Sequence, residues 1–427
     1  MSLKHKIKNI TLVLVAIIGL LLPIRTVSAQ EVPTNYHHDQ LDLKAKSAIA
    51  IDSKSGQILY GKNVNQSLPI ASMTKLVTVY LTLKAIDEGK IKWDTTLRPT
   101  RQIVAVSTNR DFSNVPLRMG HSYNIQQLYQ ATLIESANGA AMMLAQAVSG
   151  SQLAFVKQMR MQLQKWGIND AKIYTTCGLP NKSVGTDAYP NVTSNAENMM
   201  SAKDMAVVGQ HLVNDFPEII KTTKIPRLDF IDQNFKTPMT NFNWMLKGLP
   251  QYHSQLKIDG LKTGTTDAAG ACFIATAKHA GARLITVVMG ARHLNGTDPA
   301  RFEQTDILLR YLYHNYHPVV FHQNEVIMGE TTIKVNAGQK KQVGIGMKQN
   351  SAIWVPTNQQ LKARLTNETV DAPVKVGQIV SSYNFTAGGS KLISLNNPDG
   401  IKLPVRALQS TTKVNIFVRF WRWLFGG

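Results

Sequence analysis

The hydrophobic pattern before residue 317 alternates between helical spacing and short apolar runs. Apolar residues three or four positions apart predict amphipathic helices, whereas short apolar runs bounded by turn residues predict strands. Residues 47–60 predict two strands joined by a turn at Lys54-Ser55-Gly56, and further strands are predicted at residues 271–277 and 284–289. Helices are predicted over residues 72–88, 128–148, 152–166, 203–214 and 301–313. The pattern alone therefore predicts a mixed α and β domain, with a long loop over residues 170–200.

A second pattern begins near His317. Residues 318–408 contain short runs in which apolar and polar residues alternate, such as TTIKVNA, SAIWVPT and QLKARLT, with turn residues between them. Alternation with a period of two is typical of strands that have one buried face. These residues predict a smaller C-terminal all-β domain, and we place its limits at residues 317–410, after a larger domain over residues 30–316.

The N-terminal segment, residues 1–29, is typical of a secretory signal peptide. Three lysines (Lys4, Lys6 and Lys8) precede a mainly apolar stretch at residues 10–23, and Val27-Ser28-Ala29 supplies small residues for cleavage after Ala29. An uncleaved N-terminal anchor is the alternative. We expect the protein to be exported and to lie on the extracytoplasmic face of a cell membrane.

The C-terminal segment, residues 411–427, predicts an amphipathic helix. On a helical wheel its apolar face contains Val414, Phe417, Val418, Trp421, Leu424 and Phe425. Arg419 and Arg422 lie on the opposite face, and a segment this short and charged does not cross a bilayer. A helix lying in the interface of an anionic membrane fits better, and a helix docked on the protein's own β-domain is the alternative.

Composition narrows the range of partners. The 427 residues carry a formal charge of +20, which favours anionic partners such as phospholipid head groups and wall polymers. Nucleic acid is not predicted, because no run of five or six basic residues occurs. Cys177 and Cys272 are the two cysteines, and no cysteine–histidine cluster has zinc spacing. We therefore expect no metal and no cofactor, and the sequence leaves open whether the two cysteines form a disulfide.

Three short motifs carry the candidate chemistry. Ser72-Met73-Thr74-Lys75 opens a predicted helix, so that the hydroxyl and the amine share one face. Ser136-Ala137-Asn138 follows in a second predicted helix, and Lys262-Thr263-Gly264 precedes a predicted strand. The first two patterns recur elsewhere in the chain, and the third recurs as the variant Lys54-Ser55-Gly56, but only this set combines the order and the structural context of a serine acyl-transfer site.

The segments around these motifs resemble the low-molecular-weight penicillin-binding proteins, the serine D-Ala-D-Ala carboxypeptidases. The resemblance covers roughly residues 45–312 and rests on IDSKSGQILYGKN, IASMTKLVTVYL, LIESANGAAMMLA and KIDGLKTGTTDAAG. It implies a β-lactamase-like (transpeptidase) α/β fold with an antiparallel sheet between helices. One departure is Asn198-Met199-Met200, where many family members carry a histidine and a small hydroxyl residue.

The resemblance also assigns roles. Ser72 is expected to be the nucleophile, Lys75 its base, and Ser136 a relay for the proton that the leaving amine takes up. Substrate binding is expected from the other motif residues and one helix arginine, namely Asn138, Lys262, Thr263, Gly264, Thr265 and Arg301. The backbone N–H groups of Ser72 and Thr265 would form the oxyanion hole. For Arg301, a surface helix arginine is an equal alternative.

The expected substrate is a peptidoglycan stem peptide ending in D-Ala-D-Ala, and β-lactams are the expected inhibitors. A class A β-lactamase shares the motifs but requires a glutamate followed four residues later by an asparagine. Glu197 and Glu218 are the glutamates between the second and third motifs, and serine and threonine stand four residues after them. The glutamate pattern of a class A β-lactamase is therefore absent, and the complete set of motifs argues against a penicillin-binding scaffold without turnover. These two functions are the alternatives to the carboxypeptidase.

Overall fold

The computed structural model describes residues 32 to 415, so the expected signal peptide and residues 416–427 lie outside it. A five-stranded antiparallel sheet forms the centre of the larger domain. Its strands lie in the order Ile58–Lys62, Ser47–Asp52, Ala282–Ala291, Gly270–His279 and Ile258–Thr266. The predicted hairpin over residues 47–60 is confirmed.

Helices cover both faces of this sheet, because alternate side chains of its strands enter two different cores. Ile49 and Ile51 pack with the helices Lys75–Asp87 and Ala202–Asp215, whereas Ala48 and Ala50 pack with the helix Ala300–Asn315. The other helices are Arg101–Thr108, Ile125–Ile134, Asn138–Ser149, Gln152–Lys165 and Ile219–Thr223. This is the expected α/β arrangement of an antiparallel sheet flanked by helices.

The C-terminal domain is all-β, as predicted. Its strand Tyr316–Phe321 pairs with Ser351–Pro356, and its main sheet has the order Leu361–Leu365, Ile379–Ala387, Lys402–Ala407, Gln342–Met347, Thr332–Asn336 and Thr369–Asp371. A seventh short strand, Ser390–Lys391, pairs with Ile379–Ala387. A separate hydrophobic core, which includes Ile353, Phe385 and Val405, lies inside this domain.

Trp354 joins the two domains. Its backbone N–H and carbonyl exchange hydrogen bonds of 2.7 Å with the Gln57 amide, and its indole N–H donates to Asp52 at 3.0 Å. Gln57 and Trp354 are fully buried. Because buried polar groups cost free energy unless they are paired, this exchange holds the hairpin turn of the larger domain against the β-domain.

Two predictions of local structure are wrong, and a third is confirmed with a different first turn. The apolar stretch at residues 128–148 forms two helices, Ile125–Ile134 and Asn138–Ser149, because Ser136 has a left-handed φ of 57° and interrupts the helix. The Lys262-Thr263-Gly264 motif lies inside the strand Ile258–Thr266 instead of before a strand. The predicted helix over residues 72–88 begins with a 3₁₀ turn, Ala71–Thr74.

The predicted amphipathic helix does not begin at Thr411. Thr411 pairs with Val374 and Lys413 pairs with Gly338, so the backbone of these residues is bonded to the β-domain. Val414 is buried there as well. The rest of the predicted helix lies outside the described residues. Within residues 32–415 no single helix is long and apolar enough to cross a membrane, although the consecutive helices Asn138–Ser149 and Gln152–Lys165 meet the length and composition criteria as a pair bent by 82°.

Candidate active site

The first motif places Ser72 and Lys75 where the 3₁₀ turn Ala71–Thr74 continues into the helix Lys75–Asp87. Ala71 enters this turn with a left-handed φ of 45°. Residues three apart on such a turn lie on one face. The Lys75 ammonium accordingly donates a hydrogen bond of 2.8 Å to the Ser72 hydroxyl, which gives the serine an adjacent proton acceptor once the lysine is neutral.

Lys75 is fully buried and has three acceptors. Besides the Ser72 hydroxyl, its ammonium donates to Asn138 Oδ1 and to the Cys177 carbonyl, both at 2.7 Å. Burial penalises the charged form and lowers the pKa of Lys75 to about 8. A lysine with a pKa near neutrality can act as a general base at physiological pH.

The helix break at Ser136 brings the second motif to the same place. Asn138 begins the helix Asn138–Ser149, and both its backbone N–H and its side-chain amide donate to the Ser113 carbonyl at 3.0 Å. This anchor leaves the Asn138 side-chain oxygen directed at Lys75. Ser136 and Ser72 line the same cleft.

The third motif lies against the turn Ala71–Thr74, which we call the nucleophile turn after the expected role of Ser72. A Cβ atom at Gly264 would come within 2.6 Å of the Ile70 carbonyl oxygen, so only glycine permits this close approach. Arg301 supports the strand from behind. Its guanidinium donates to the Gly264 carbonyl at 2.9 Å, the Cys272 carbonyl at 3.2 Å and the Thr265 hydroxyl at 2.7 Å. Arg301 is buried, in contrast to the alternative of a surface helix arginine.

The centre is rich in buried basic side chains. Burial, followed by the charges of Lys75 and Arg301, holds the pKa of Lys262 well below its usual range, and Glu135 partly opposes this effect. Burial is the dominant cause of the lowered pKa of both Lys75 and Lys262, and the charge of Lys75 lowers the pKa of Lys262 further. Three buried basic side chains lie together here, with Glu135 acting on Lys262 and Asp298 on Arg301, and such a site favours an anionic ligand.

The motif residues surround a cleft of about 360 Å³. Its polar wall contains Ser72, Ser136, Thr263, Gly264, Thr265 and Arg301, and its aromatic wall contains Phe242, Trp244 and Phe302. Lys75, Asn138 and Lys262 lie behind this surface. A second cleft of about 580 Å³ shares Ser72 and Thr265 and extends past Glu197 and Asp267. The fold thus brings together all nine residues that the sequence predicted.

Sequence reasoning missed the loop that completes the lysine site. The Cys177 carbonyl reaches Lys75 because the next residue, Gly178, packs against the nucleophile turn with a left-handed φ of 85°. A Cβ atom at Gly178 would come within 2.0 Å of the Ala71 carbonyl oxygen. A backbone acceptor has no side-chain signature, so no motif marks this contact. Cys177 and Cys272 are both buried free thiols.

Asn198 holds the same loop in place. Its side-chain oxygen accepts from the Tyr174 and Thr175 N–H groups at 2.6 and 3.1 Å, and its amide donates to the Thr175 carbonyl at 2.7 Å and the Thr74 hydroxyl at 3.0 Å. The Asn198 carbonyl also accepts from the Ile70 N–H at 3.0 Å. The sequence signal was a departure from the family pattern at this position, which did not indicate this role.

Comparison with known proteins covers both domains. The sequence profile described as D-alanyl-D-alanine carboxypeptidase matches residues 33–293, and the profile described as penicillin-binding protein 5, C-terminal domain, matches residues 317–413. The D-alanyl-D-alanine carboxypeptidase DacC of Escherichia coli (strain K12) is 29% identical over 383 residues, which cover 88% of this chain and 86% of that protein. The corresponding enzyme DacF of Bacillus subtilis (strain 168) is 27% identical, over 88% of this chain and 90% of that protein.

Solved structures agree with this assignment. A peptidoglycan synthesis regulatory factor (PBP3) from Streptococcus pneumoniae superposes with a TM-score of 0.75 at 31% identity, covering 87% of this chain and all of the other. Penicillin-binding protein 5 from Haemophilus influenzae gives a TM-score of 0.69 at 25% identity, over 87% of this chain and 98% of that chain. With its matching profiles, its relatives and its serine–lysine centre, the chain belongs to the low-molecular-weight penicillin-binding proteins of the serine D-alanyl-D-alanine carboxypeptidase family.

Proposed function

We propose that the enzyme removes the terminal D-alanine from peptidoglycan stem pentapeptides through an acyl-enzyme on Ser72, and that β-lactams acylate the same hydroxyl. The observation that carries this proposal is the 2.8 Å contact between the Ser72 hydroxyl and a fully buried Lys75 whose pKa is lowered to about 8. A serine hydroxyl is a weak nucleophile until such a base accepts its proton.

In acylation, neutral Lys75 takes the Ser72 proton while the serine oxygen bonds to the carbonyl carbon of the penultimate D-alanine. The backbone N–H groups of Ser72 and Thr265 stabilise the resulting oxyanion. The C–N bond then breaks, and the proton passes from Lys75 through the Ser136 hydroxyl to the leaving D-alanine amine. Attack by water on the ester, with the same proton transfers, releases the shortened peptide and restores Ser72.

The terminal carboxylate of the substrate supplies the negative charge that the centre needs. Lys262 and Arg301 are buried, and Glu135 is the carboxylate that raises the pKa of Lys262. Binding of a second carboxylate raises the pKa of Lys262 and so favours its charged form. The hydroxyls of Thr263 and Thr265 line the cleft beside it and donate to the same carboxylate. A peptide that ends in a carboxamide should therefore bind poorly.

Two other functions explain fewer observations. A class A β-lactamase needs a glutamate that activates the deacylating water. Among the residues that line the two clefts, the glutamate is Glu197, which accepts a hydrogen bond from Thr266 at 2.7 Å and lacks the following asparagine. A scaffold without peptide turnover leaves the complete set of three motifs without a role. We expect the penicillin adduct to persist for minutes or longer, whereas a β-lactamase would turn penicillin over rapidly.

The cellular context follows from this chemistry. Removal of the terminal D-alanine destroys the pentapeptide donor, so the enzyme limits wall cross-linking. We propose export by cleavage of residues 1–29 and attachment of the mature protein to the outer face of the membrane through residues 416–427, which combine aromatic residues with Arg419 and Arg422.

The test is incubation of the purified mature protein with a pentapeptide stem, with mass analysis of the products. We expect release of one D-alanine by the wild type and none by Ser72→Ala, with an unchanged circular dichroism spectrum. Fluorescent penicillin should label the wild type and not the variant. Continued labelling of Ser72→Ala would place the nucleophile elsewhere, and penicillin labelling without peptide cleavage would support the scaffold.

A further inference from the structure

Three segments meet at the end of the β-domain where the described chain finishes. We call residues 337–341, 374–378 and 410–415 the C-terminal tip. Backbone groups bond the last of these segments to the other two. These hydrogen bonds are Gln339 N–H to the Thr412 carbonyl, Val414 N–H to the Ala337 carbonyl, and a reciprocal pair between Val374 and Thr411, all at 2.9 Å. The tip is therefore an ordered surface of the domain and not a loose extension of it.

The C-terminal tip is basic and partly apolar. Its four lysines are all exposed: Lys340, Lys341, Lys375 and Lys413. None of the three segments contains an acidic residue. Val376 is 63% exposed at the end of the tip, and Ile379, which follows the second segment, is 51% exposed. Lysines interspersed with exposed aliphatic side chains match the chemistry of an anionic bilayer surface, where head groups lie next to acyl chains.

The chain leaves the described structure at Asn415, in this tip. Twelve residues follow, and they contain five aromatic residues, two arginines and no acid. Twelve residues reach at most about 40 Å when fully extended. If this segment binds a membrane, as proposed above, the part of the enzyme that it draws to the surface is the end of the β-domain from which it departs.

We propose that the C-terminal tip itself contacts the membrane, with its lysines on anionic phospholipid head groups and Val376 at the acyl boundary. This inference rests on the proposed attachment through residues 416–427 and adds a second contact to it. Two separate contacts define an orientation of the domain on the membrane, whereas a single point of attachment does not. The strand Ile379–Ala387 begins at the tip and spans about 26 Å, so the opposite end of the same sheet is held away from the bilayer.

The matched control lies at that opposite end. Lys362, Lys391 and Lys402 are exposed and pair with the far half of the strand Ile379–Ala387. The tip variant is Lys340→Gln, Lys341→Gln, Lys375→Gln, and the control variant is Lys362→Gln, Lys391→Gln, Lys402→Gln. Both remove three positive charges from one domain, so any difference between them reports position and not net charge.

Co-sedimentation of the mature chain with vesicles tests the proposal. The probe vesicles contain equal parts phosphatidylglycerol and phosphatidylcholine. Because each lysine near an anionic surface contributes about a five-fold factor, the tip variant should bind roughly 100-fold more weakly than the wild type, and the control about as well as the wild type. High salt should reduce this difference. Thermal melting and penicillin labelling of both variants should match the wild type.

These measurements distinguish membrane contact by the C-terminal tip from attachment through residues 416–427. Equal binding by the tip and control variants would overturn the proposal, even if deletion of residues 416–427 released the protein. Loss of vesicle binding by the tip variant would support the proposal. If deletion of residues 416–427 did not change vesicle binding, the proposed attachment through those residues would be wrong instead. A tip variant that lost affinity for a purified anionic wall polymer but kept its affinity for vesicles would also overturn the membrane assignment.

Discussion

Substitution of Asn198 tests whether the loop behind Lys75 controls its position. Asn198 is fully buried, and its side chain makes four hydrogen bonds to the nucleophile turn and to the loop that ends at Cys177. Asn198→Asp keeps the shape and both acceptor contacts but loses the donation to the Thr175 carbonyl, which then faces a carboxylate. Leaving one buried acceptor unpaired costs about 1–3 kcal/mol. Asn198→Ala leaves three backbone groups unpaired and should cost about 3–6 kcal/mol, a large part of a typical folding free energy.

The informative readout is kcat together with stability. The loop carries the Cys177 carbonyl that holds Lys75 in place. A free-energy cost of about 1–3 kcal/mol in this loop should therefore lower kcat of Asn198→Asp about ten-fold or more and leave KM nearly unchanged. Gln57→Glu is the control, since it makes the same amide-to-acid change at a buried residue that exchanges two hydrogen bonds with Trp354. Gln57→Glu should lower the midpoint of thermal unfolding and keep kcat. An unchanged kcat in Asn198→Asp, or an equal loss in both variants, would refute the positioning role.

Three further predictions concern the lysines and the glycine. Because only neutral Lys75 accepts a proton and its pKa is about 8, kcat/KM should rise about ten-fold per pH unit below that value and level off above it; a profile flat from neutral to alkaline pH would exclude this base. Since Lys262 must be charged to bind the carboxylate, Lys262→Gln should raise KM for the peptide and reduce the preference for a free carboxylate over a carboxamide, as Michaelis kinetics on both peptides would show. Gly178→Ala should lower the unfolding midpoint more than Gly167→Ala, because both have positive φ but only Gly178 has a neighbour within contact distance; equal midpoints would contradict this packing.

The motifs were predictable because their spacing fixes local geometry. Ser72 and Lys75 are three residues apart at a helix start, and that spacing alone places the amine beside the hydroxyl. The assignment of Lys262 to the same site as Ser72 required the family resemblance, because no periodicity links residues so distant in sequence. Its position inside a strand was not predicted. The division into an α/β domain and an all-β domain followed from the change of hydrophobic period near residue 317.

Contacts made by backbone groups could not be predicted in this way. The Cys177 carbonyl lies 102 positions from Lys75 and depends on a glycine whose φ is visible only in the fold. The helix break at Ser136 was hidden because the surrounding residues are apolar and the left-handed residue is a serine instead of a glycine. The hairpin Arg227–Asp232 with Phe235–Thr240 was missed because most of its residues are exposed or partly exposed and carry little hydrophobic signal.

The central claim is that Ser72, activated by Lys75, forms a covalent acyl-enzyme. The most direct measurement is intact-mass analysis after rapid mixing with a depsipeptide or with penicillin, followed by peptide mapping of the modified residue. We predict one adduct per chain, located on Ser72, and a rate of formation that falls as pH drops below about 8. An adduct on another residue, or acylation that is independent of pH in this range, would contradict the account.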